Sequence, residues 1–238
     1  MAVRAITFDY WNTIMFAADP VGRWRSDAWL ELLSNAGLAV QPDDVSAAFR
    51  AAWAAHTEAW VANIQHTGVR FAEVAVAALP VAVGGVLRRD LIDAFMHEGD
   101  GEEFLPCPGV ADALAALTEA DVRIGIVCDV GITPSTGLRR LLERHDLLRH
   151  FDSWSFSDEV GWYKPAPEIF RHALETLGVA AADAAHIGDI RRTDIAGARA
   201  MGMTAIRYRG VSDDTADDVE GDHVIDHHDQ LPAVLGLS

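Results

Sequence analysis

Short apolar runs alternate with amphipathic helical patterns in the C-terminal part of the chain, from about residue 103 onward. Runs of about four to eight apolar, β-branched or aromatic residues bounded by polar turns are typical of buried strands. Such runs are VRIGIVCD, FDSWSFS, AAHIGD and MTAIRYR, and a further strand begins DHVIDHHDQLPAVL. The helical segments are VADALAALTEA, PSTGLRRLLERHDL, PAPEIFRHALETLG and TDIAGARAMG. Strands that alternate with helices predict a parallel sheet covered on both faces, so the predicted fold class is α/β.

A strand and then a helical block precede this alternating part. VRAITFD, residues 3–9, predicts a short buried strand that ends in a polar turn. From about Ser26 to Asp100 the apolar spacing is helical and is interrupted by Gly and Pro, with a long Ala-rich segment that starts at Pro42. We therefore predict a doubly wound α/β core of residues 1–14 and 103–238, with an all-helical cap inserted at residues 15–102.

Composition and charge exclude several kinds of partner. The 238 residues carry a formal net charge of −17, which gives no general attraction for nucleic acid or an anionic membrane surface. Two cysteines are too few for a disulfide framework or a zinc signature. The N-terminus has no long apolar signal region, and no uncharged apolar stretch of roughly 18 residues occurs. We expect a cytoplasmic monomer or homodimer that acts on a small molecule, with no nucleic-acid or membrane partner.

Polar side chains follow the predicted strands where each strand ends. The carboxyl ends of parallel strands meet at one edge of a sheet, which is where ligands bind. Three aspartates there would offer the oxygen ligands that Mg²⁺ prefers, and an aspartate can also attack phosphorus or carbon. Singly, these residues have simpler explanations, such as helix capping for Asp194 or a surface position for Lys164. The groups are Asp9, Cys128 with Asp129, Lys164, Asp189 and Asp194.

Four sequence motifs surround these polar residues. FDYWNTI contains Asp9 and Thr13, GIVCDVG follows a strand, YKPAPEIF contains Lys164, and HIGDIRRTDIAGA contains Asp189 and Asp194. In this order they resemble the four motifs of the haloacid dehalogenase (HAD)-like hydrolase superfamily, of which the first reads Asp-x-Asp-x-Thr. The resemblance covers essentially the full length. It implies a Rossmann-like core and a helical cap, inserted after the first strand, that selects the substrate.

The resemblance also implies a role for each matched residue. Asp9 would be the nucleophile and Lys164 would balance charge beside it, so these two residues are the implied catalytic pair. Mg²⁺ would be bound by Asp9, the backbone carbonyl of Trp11, Asp189 and Asp194, the last directly or through water. The residues implied to contact the substrate are Trp11, Asn12, Thr13, Cys128 and Asp129.

Two of the four motifs depart from the family pattern. Trp11 stands where the family's phosphatases carry a second aspartate, which protonates the leaving group and then activates water. An indole does neither, and general acid catalysis typically contributes ~10²–10⁴-fold, so a lower rate is expected. Cys128 replaces a phosphate-binding Ser or Thr, and Asp129 replaces a common Asn. Cys128 is either a second nucleophile or, more commonly for a free cysteine, a small buried apolar residue.

Three functions remain open on the sequence. The favoured one is a Mg²⁺-dependent phosphatase whose substrate has a leaving group that needs little protonation. A metal-independent 2-haloacid dehalogenase is the second, because a halide leaves without a proton, although the family's dehalogenases depart from the metal-binding fourth motif that this chain retains. The third is a catalytically impaired protein that binds a ligand or partner. Four tryptophans of the predicted cap form either a substrate pocket or a bundle core: Trp24, Trp29, Trp53 and Trp60.

Overall fold

A six-stranded parallel sheet forms the centre of the protein. The computed structural model describes residues 3–18, 23–97 and 104–237. The strands are β1 (Ala5–Phe8), β2 (Met15–Ala17), β3 (Phe104–Pro106), β4 (Arg123–Cys128), β5 (Ser153–Phe156), β6 (Ala184–Gly188), β7 (Thr204–Tyr208) and β8 (His223–Ile225). The main sheet has the order β5-β4-β1-β6-β7-β8, and each of its neighbouring pairs is parallel. The predicted α/β class with a doubly wound sheet is confirmed.

Helices cover both faces of this sheet and also form a separate bundle. They are α1 (Arg23–Asn35), α2 (Pro42–Val61), α3 (Gly68–Ala77), α4 (Gly85–Met96), α5 (Val110–Glu119), α6 (Ser135–Arg144), α7 (Ser157–Val160), α8 (Pro167–Leu177), α9 (Ala196–Met201) and α10 (Leu231–Val234). Side chains of β1 alternate between two apolar clusters: Ile6 and Phe8 belong to one, with α5 and α6, and Ala5 belongs to the other, with α8 and α9. This alternation is the two-residue period of a strand buried on both faces.

Helices α1 to α4 lie between β2 and β3 and form a bundle of their own. Their common core is apolar, and Trp29 is fully buried in it with its indole N–H donating to the carbonyl of Leu91 at 2.8 Å. Helix α2 begins at Pro42 as expected, with Asp43 and Asp44 in the first turn. Acidic side chains there stabilise the helix through their interaction with the positive end of its dipole. None of the helices in the described residues combines the length and the apolar character that crossing a membrane requires.

A two-stranded ribbon joins the bundle to the sheet and was not expected from the sequence. Strands β2 and β3 pair antiparallel, with Met15 opposite Pro106 and Ala17 opposite Phe104. The predicted division at residues 14/15 and 102/103 assigns β2 to the cap and β3 to the core, although the two strands pair with each other. That division stays a prediction.

Candidate active site

Three aspartates converge at the carboxyl edge of the sheet. Asp9 follows β1 directly, and Asp189 follows the neighbouring strand β6. Asp194 lies in a single π-type turn, Arg191–Ile195, that leads into α9. All three are buried, and one carboxylate oxygen from each lies within 4.8 Å of the others. The parallel pairing of β1 with β6 therefore produces the cluster that the sequence order predicts.

Lys164 inserts its ammonium group into this cluster. Its Nζ lies 2.5 Å from Oδ1 of Asp9 and 2.6 Å from Oδ1 of Asp194, and its side chain is 2% exposed. Burial opposes the charge, but the carboxylates of Asp194 and Asp9 outweigh it and hold the pKa of Lys164 well above its ordinary value. Lys164 is thus a permanent cation that links the nucleophile candidate to the last carboxylate.

The three carboxylates differ in their electrostatics. Burial is the main cause that raises the pKa of Asp9 and of Asp189, and repulsion from the neighbouring carboxylates adds to it. Burial acts on Asp194 as well, but Lys164 and a hydrogen bond from His186 outweigh it and lower the pKa of Asp194. One ammonium group therefore does not balance the buried negative charge of the cluster.

His186 positions Asp194 from within strand β6. Its Nε2 lies 3.3 Å from Oδ1 of Asp194, and its Nδ1 lies 2.8 Å from the hydroxyl of Thr7. Since a carboxylate accepts only, Nε2 donates to Asp194 and Nδ1 accepts from Thr7. The backbone N–H of Ile190 donates to the other oxygen of Asp194 at 2.9 Å. His186 could not be predicted from the sequence, because a single histidine in a buried run carries no signal of its partner.

Polar side chains of the turn after β1 contact the aspartate cluster. Two backbone N–H groups, of Ile14 and Met15, donate to the carbonyl of Tyr10, and Asn12 has φ 58°, a left-handed conformation that asparagine tolerates. Asn12 donates from its side chain to Asp189 at 3.3 Å, and the hydroxyl of Thr13 donates to Asp9 at 3.4 Å. Thr13 is fully buried. The two side chains thus contact the carboxylates.

A cavity of about 450 Å³ opens above the aspartates, between the sheet edge and helix α2. The aspartates and Lys164 form its polar end. The rest of the wall is mainly apolar, with contributions from both the helical bundle and the sheet. Its aromatic residues are Trp11, Trp53, Trp60, Phe104 and Tyr163. Of the four tryptophans considered above, two therefore line the cavity and Trp29 belongs to the bundle core.

Asp129 holds the wall of this cavity together. One oxygen accepts the indole N–H of Trp60 at 2.7 Å, and the other accepts the backbone N–H of Lys164 at 2.7 Å. Burial raises the pKa of Asp129 to about 6, although Lys164 and the hydrogen bond from Trp60 favour the charged form and lower the pKa. Each oxygen of Asp129 thus accepts one hydrogen bond. An asparagine at this position has one carbonyl oxygen and could accept from only one side with it.

Cys128 lies apart from the cavity wall. It ends β4 in the apolar cluster that contains Phe8 and Ile126, and it is 1% exposed. Burial raises the pKa of its thiol well above the ordinary value, and Asp9 adds to the effect. A protonated, enclosed thiol is a poor nucleophile, so the geometry agrees with the apolar alternative for Cys128. The roles toward substrate implied for Cys128 and Thr13 stay predictions.

The protein combines a parallel sheet with a buried carboxylate cluster at its carboxyl edge and a helical bundle above that cluster. This arrangement agrees with the family predicted from the sequence. A family model for haloacid dehalogenase-like hydrolases matches residues 3–202, and the chain belongs to that family. The predicted family and the hydrolase class are confirmed.

Particular relatives are similar over the whole chain or over part of it. Haloacid dehalogenase-like hydrolase domain-containing protein 3 of Bos taurus is 27% identical over 88% of this chain and 83% of its own length. A phosphoserine phosphatase of Thermus thermophilus is 34% identical over 50% of this chain and 45% of its own length.

Solved structures share the fold. A HAD phosphatase from Thermococcus onnurineus superimposes with a TM-score of 0.73 at 23% identity, covering 98% of each chain. A 2-haloacid dehalogenase from Pseudomonas syringae pv. Tomato gives 0.71 at 24% identity, covering 99% of each chain. Since both similarities are below 25% identity and the two proteins differ in activity, they establish the fold and leave the reaction to the site.

Proposed function

We propose that this protein is a Mg²⁺-dependent phosphatase that acts on a small phosphorylated molecule through Asp9. The observation that carries the proposal is the buried cluster of Asp9, Asp189 and Asp194 around Lys164. Relatives named phosphatases, at about one third identity over about half of this chain, give independent support. A cytoplasmic location and a monomeric or homodimeric state stay predictions.

The donor set of the cluster fits a magnesium ion. Three carboxylates provide oxygen ligands of the kind that Mg²⁺ prefers, and one ammonium group leaves an excess of negative charge among them. Asp9, the backbone carbonyl of Trp11, Asp189 and Asp194 would hold the ion. When bound, it would supply positive charge for the phosphoryl oxygens of a substrate. An anionic substrate needs that charge, because Lys164 is already paired with two carboxylates.

The position and the contacts of Asp9 support its proposed role as the nucleophile. A carboxylate oxygen of Asp9 would bond to phosphorus while the bond from phosphorus to the leaving oxygen breaks, and that oxygen keeps the electron pair. Lys164 and Thr13 fix the Asp9 carboxylate by the contacts described above. The oxygen of a water molecule would then bond to the phosphorus of the aspartyl phosphate while the bond from phosphorus to the Asp9 oxygen breaks. The Asp9 carboxylate keeps that electron pair, the water loses a proton to solvent, and inorganic phosphate leaves. Trp11 supplies no proton in either step.

A metal-independent dehalogenase is the second candidate, and Trp11 is the residue that favours it. A halide needs no proton on departure, so the absence of an acid at residue 11 would cost nothing. The electrostatics of the cavity favour the phosphatase instead. As Asp9 becomes an ester, a departing halide would still meet Asp129, Asp189 and Asp194 with one lysine, and without a metal that environment repels it.

Phosphate release from a panel of monophosphate esters, with and without Mg²⁺, tests the proposal. We expect Mg²⁺-dependent release that Asp9→Asn abolishes and that Asp90→Asn, on an exposed residue of α4, leaves unchanged. Halide release from 2-haloacids without metal, together with no phosphate release, would establish the dehalogenase. The absence of both reactions in a folded protein would leave a ligand- or partner-binding protein.

A further inference from the structure

Apart from Lys164 and the three aspartates assigned to the metal, no residue in the described part of the cavity wall is placed to protonate a leaving oxygen. Trp11 occupies the position of the acid, and both oxygens of Asp129 accept hydrogen bonds. The phenol of Tyr163 accepts the backbone N–H of His66 and directs its own O–H to the carbonyl of Val130, and burial raises its pKa, so it gives up its proton less readily. His56 also lines the wall, but burial and the neighbouring His66 lower its pKa, so its ring is neutral at pH 7. A leaving oxygen must therefore depart as an anion.

The identity of the alcohol decides whether that departure is feasible. Simple alcohols are about as weakly acidic as water, whereas a phenol such as tyrosine is far more acidic, with a pKa of about 10. A phenolate is thus the far better leaving group when no acid assists. The missing acid at residue 11 handicaps alkyl esters and affects aryl esters much less.

The walls of the cavity match an aromatic leaving group. Trp11 and Phe104 pack with ring centroids 5.3 Å apart on the sheet side, and Trp53 and Trp60 of α2 line the same cavity. Trp53 is 48% exposed, which places an open aromatic surface in the wall. Aromatic side chains recognise a further ring by offset or edge-to-face stacking.

The charge of the wall restricts the rest of the substrate. Within the described part of the chain, Lys164 is the one lysine or arginine that lines the cavity, and Asp9 and Asp194 already engage it. The guanidinium of Arg192 lies against Trp60, 4.0 Å from the ring centroid, but Arg192 does not line the cavity. A carboxylate or second phosphate on the leaving group would therefore meet Asp129 in the wall and no lining cation other than the paired Lys164. The leaving group is therefore neutral apart from the oxygen that departs.

We propose that the substrates are aryl phosphate monoesters whose aromatic part carries no second negative charge. This inference rests on the phosphatase function proposed above. Asp9 forms the bond to phosphorus, the bond from phosphorus to the aryl oxygen breaks, and the phenolate leaves with the electron pair and takes a proton from solvent. Hydrolysis of the aspartyl phosphate restores Asp9 and releases inorganic phosphate. The overall reaction consumes one water and gives a phenol and phosphate.

Phenyl phosphate and benzyl phosphate form the matched pair that tests the inference. Both carry one neutral ring, but only phenyl phosphate has a phenolic leaving oxygen. With Mg²⁺ we expect kcat/KM for phenyl phosphate to exceed that for benzyl phosphate by ~10²-fold or more, the size of general acid catalysis. In Trp11→Asp the ratio should fall below about tenfold, chiefly because benzyl phosphate turnover rises. A 4-carboxyphenyl ester should bind more weakly than the phenyl ester.

The outcomes distinguish this inference from the phosphatase function. Comparable rates on the phenyl and benzyl esters would overturn the aryl inference and leave the phosphatase in place. No Mg²⁺-dependent hydrolysis of any ester would remove the phosphatase function itself. If Trp11→Asp does not fold, the wild-type protein still decides: log kcat/KM across substituted phenyl phosphates should fall steadily as the pKa of the phenol rises, and a flat series contradicts the inference.

Discussion

The indole N–H of Trp60 donates to the carboxylate of Asp129 at 2.7 Å, across the space between helix α2 and the end of strand β4. The second oxygen of Asp129 accepts the backbone N–H of Lys164. One carboxylate therefore joins the helical bundle, the strand end and the loop that carries the buried lysine. This contact is one of several between the bundle and the core, since the phenol of Tyr163 also accepts the backbone N–H of His66, and its backbone N–H donates to the side chain of Asn63.

Trp60→Phe should destabilise the protein by about 1–2 kcal/mol, because it leaves an oxygen of Asp129 without its donor in a closed wall. Urea denaturation at pH 7 measures the change. Trp53→Phe is the matched control, since Trp53 lies in the same helix and cavity but is half-exposed. Equal losses at the two positions would contradict a specific role for the hydrogen bond.

His186→Leu should weaken Mg²⁺ binding by about 10–100-fold, because Asp194 loses a donor that orients it. His186→Gln retains an N–H donor and should recover part of that affinity. Calorimetric titration of each variant with Mg²⁺ gives the dissociation constants. Wild-type affinity in His186→Leu would mean that Lys164 and Ile190 alone orient the carboxylate.

Gly188→Ala should disrupt the cluster by crowding. A Cβ at residue 188 would lie 2.3 Å from Cγ of Asp194, which Lys164 and Ile190 hold in place. Overpacking of this kind costs about 1–3 kcal/mol, measured as a lower midpoint of urea unfolding. Gly131→Ala is the control, because its Cβ would come no closer than 3.7 Å, to Nε2 of His56. The prediction fails if Gly188→Ala is as stable as the control.

His228 should make stability depend on pH between about 6.5 and 4. Its Nε2 donates to the carbonyl of Thr13 at 2.8 Å, its ring stacks on Tyr208, and burial lowers its pKa from 6.5 to about 4. Because the unfolded state protonates first as pH falls, the contribution is full above pH 6.5. It disappears toward pH 4, at a cost on the order of 3 kcal/mol.

Denaturation of the wild type and of His228→Phe at several pH values measures this contribution. Phenylalanine keeps a ring against Tyr208 but cannot titrate, so the variant should lose less of its stability between pH 6.5 and 4. The variant is expected to be less stable overall, because the carbonyl of Thr13 loses its donor. Parallel pH profiles of the two proteins would assign the dependence to other groups.

The sequence predicts the sheet and the aspartate cluster well for a physical reason. Alternating strands and helices leave few topologies, and in a parallel sheet the strand ends meet at one edge, so Asp9 and Asp189 become neighbours. The hydrogen bond from Trp60 to Asp129 could not be predicted from the sequence. The two residues are 69 positions apart, and their contact depends on how the bundle packs on the sheet. Strands β2 and β3 were missed because three-residue strands show no period.

The pairing of β2 with β3 brings the two chain crossings of the helical insertion side by side. Ala17 lies opposite Phe104, so a short hairpin turn between them would close the chain without α1 to α4 and without changing the strand order of the sheet. We therefore expect α1 to α4 to be replaceable as one unit. Replacement of α1 to α4, by recombination or by design, would leave the turn that carries Asp9 in place beneath a different set of helices. The choice of substrate would change with those helices.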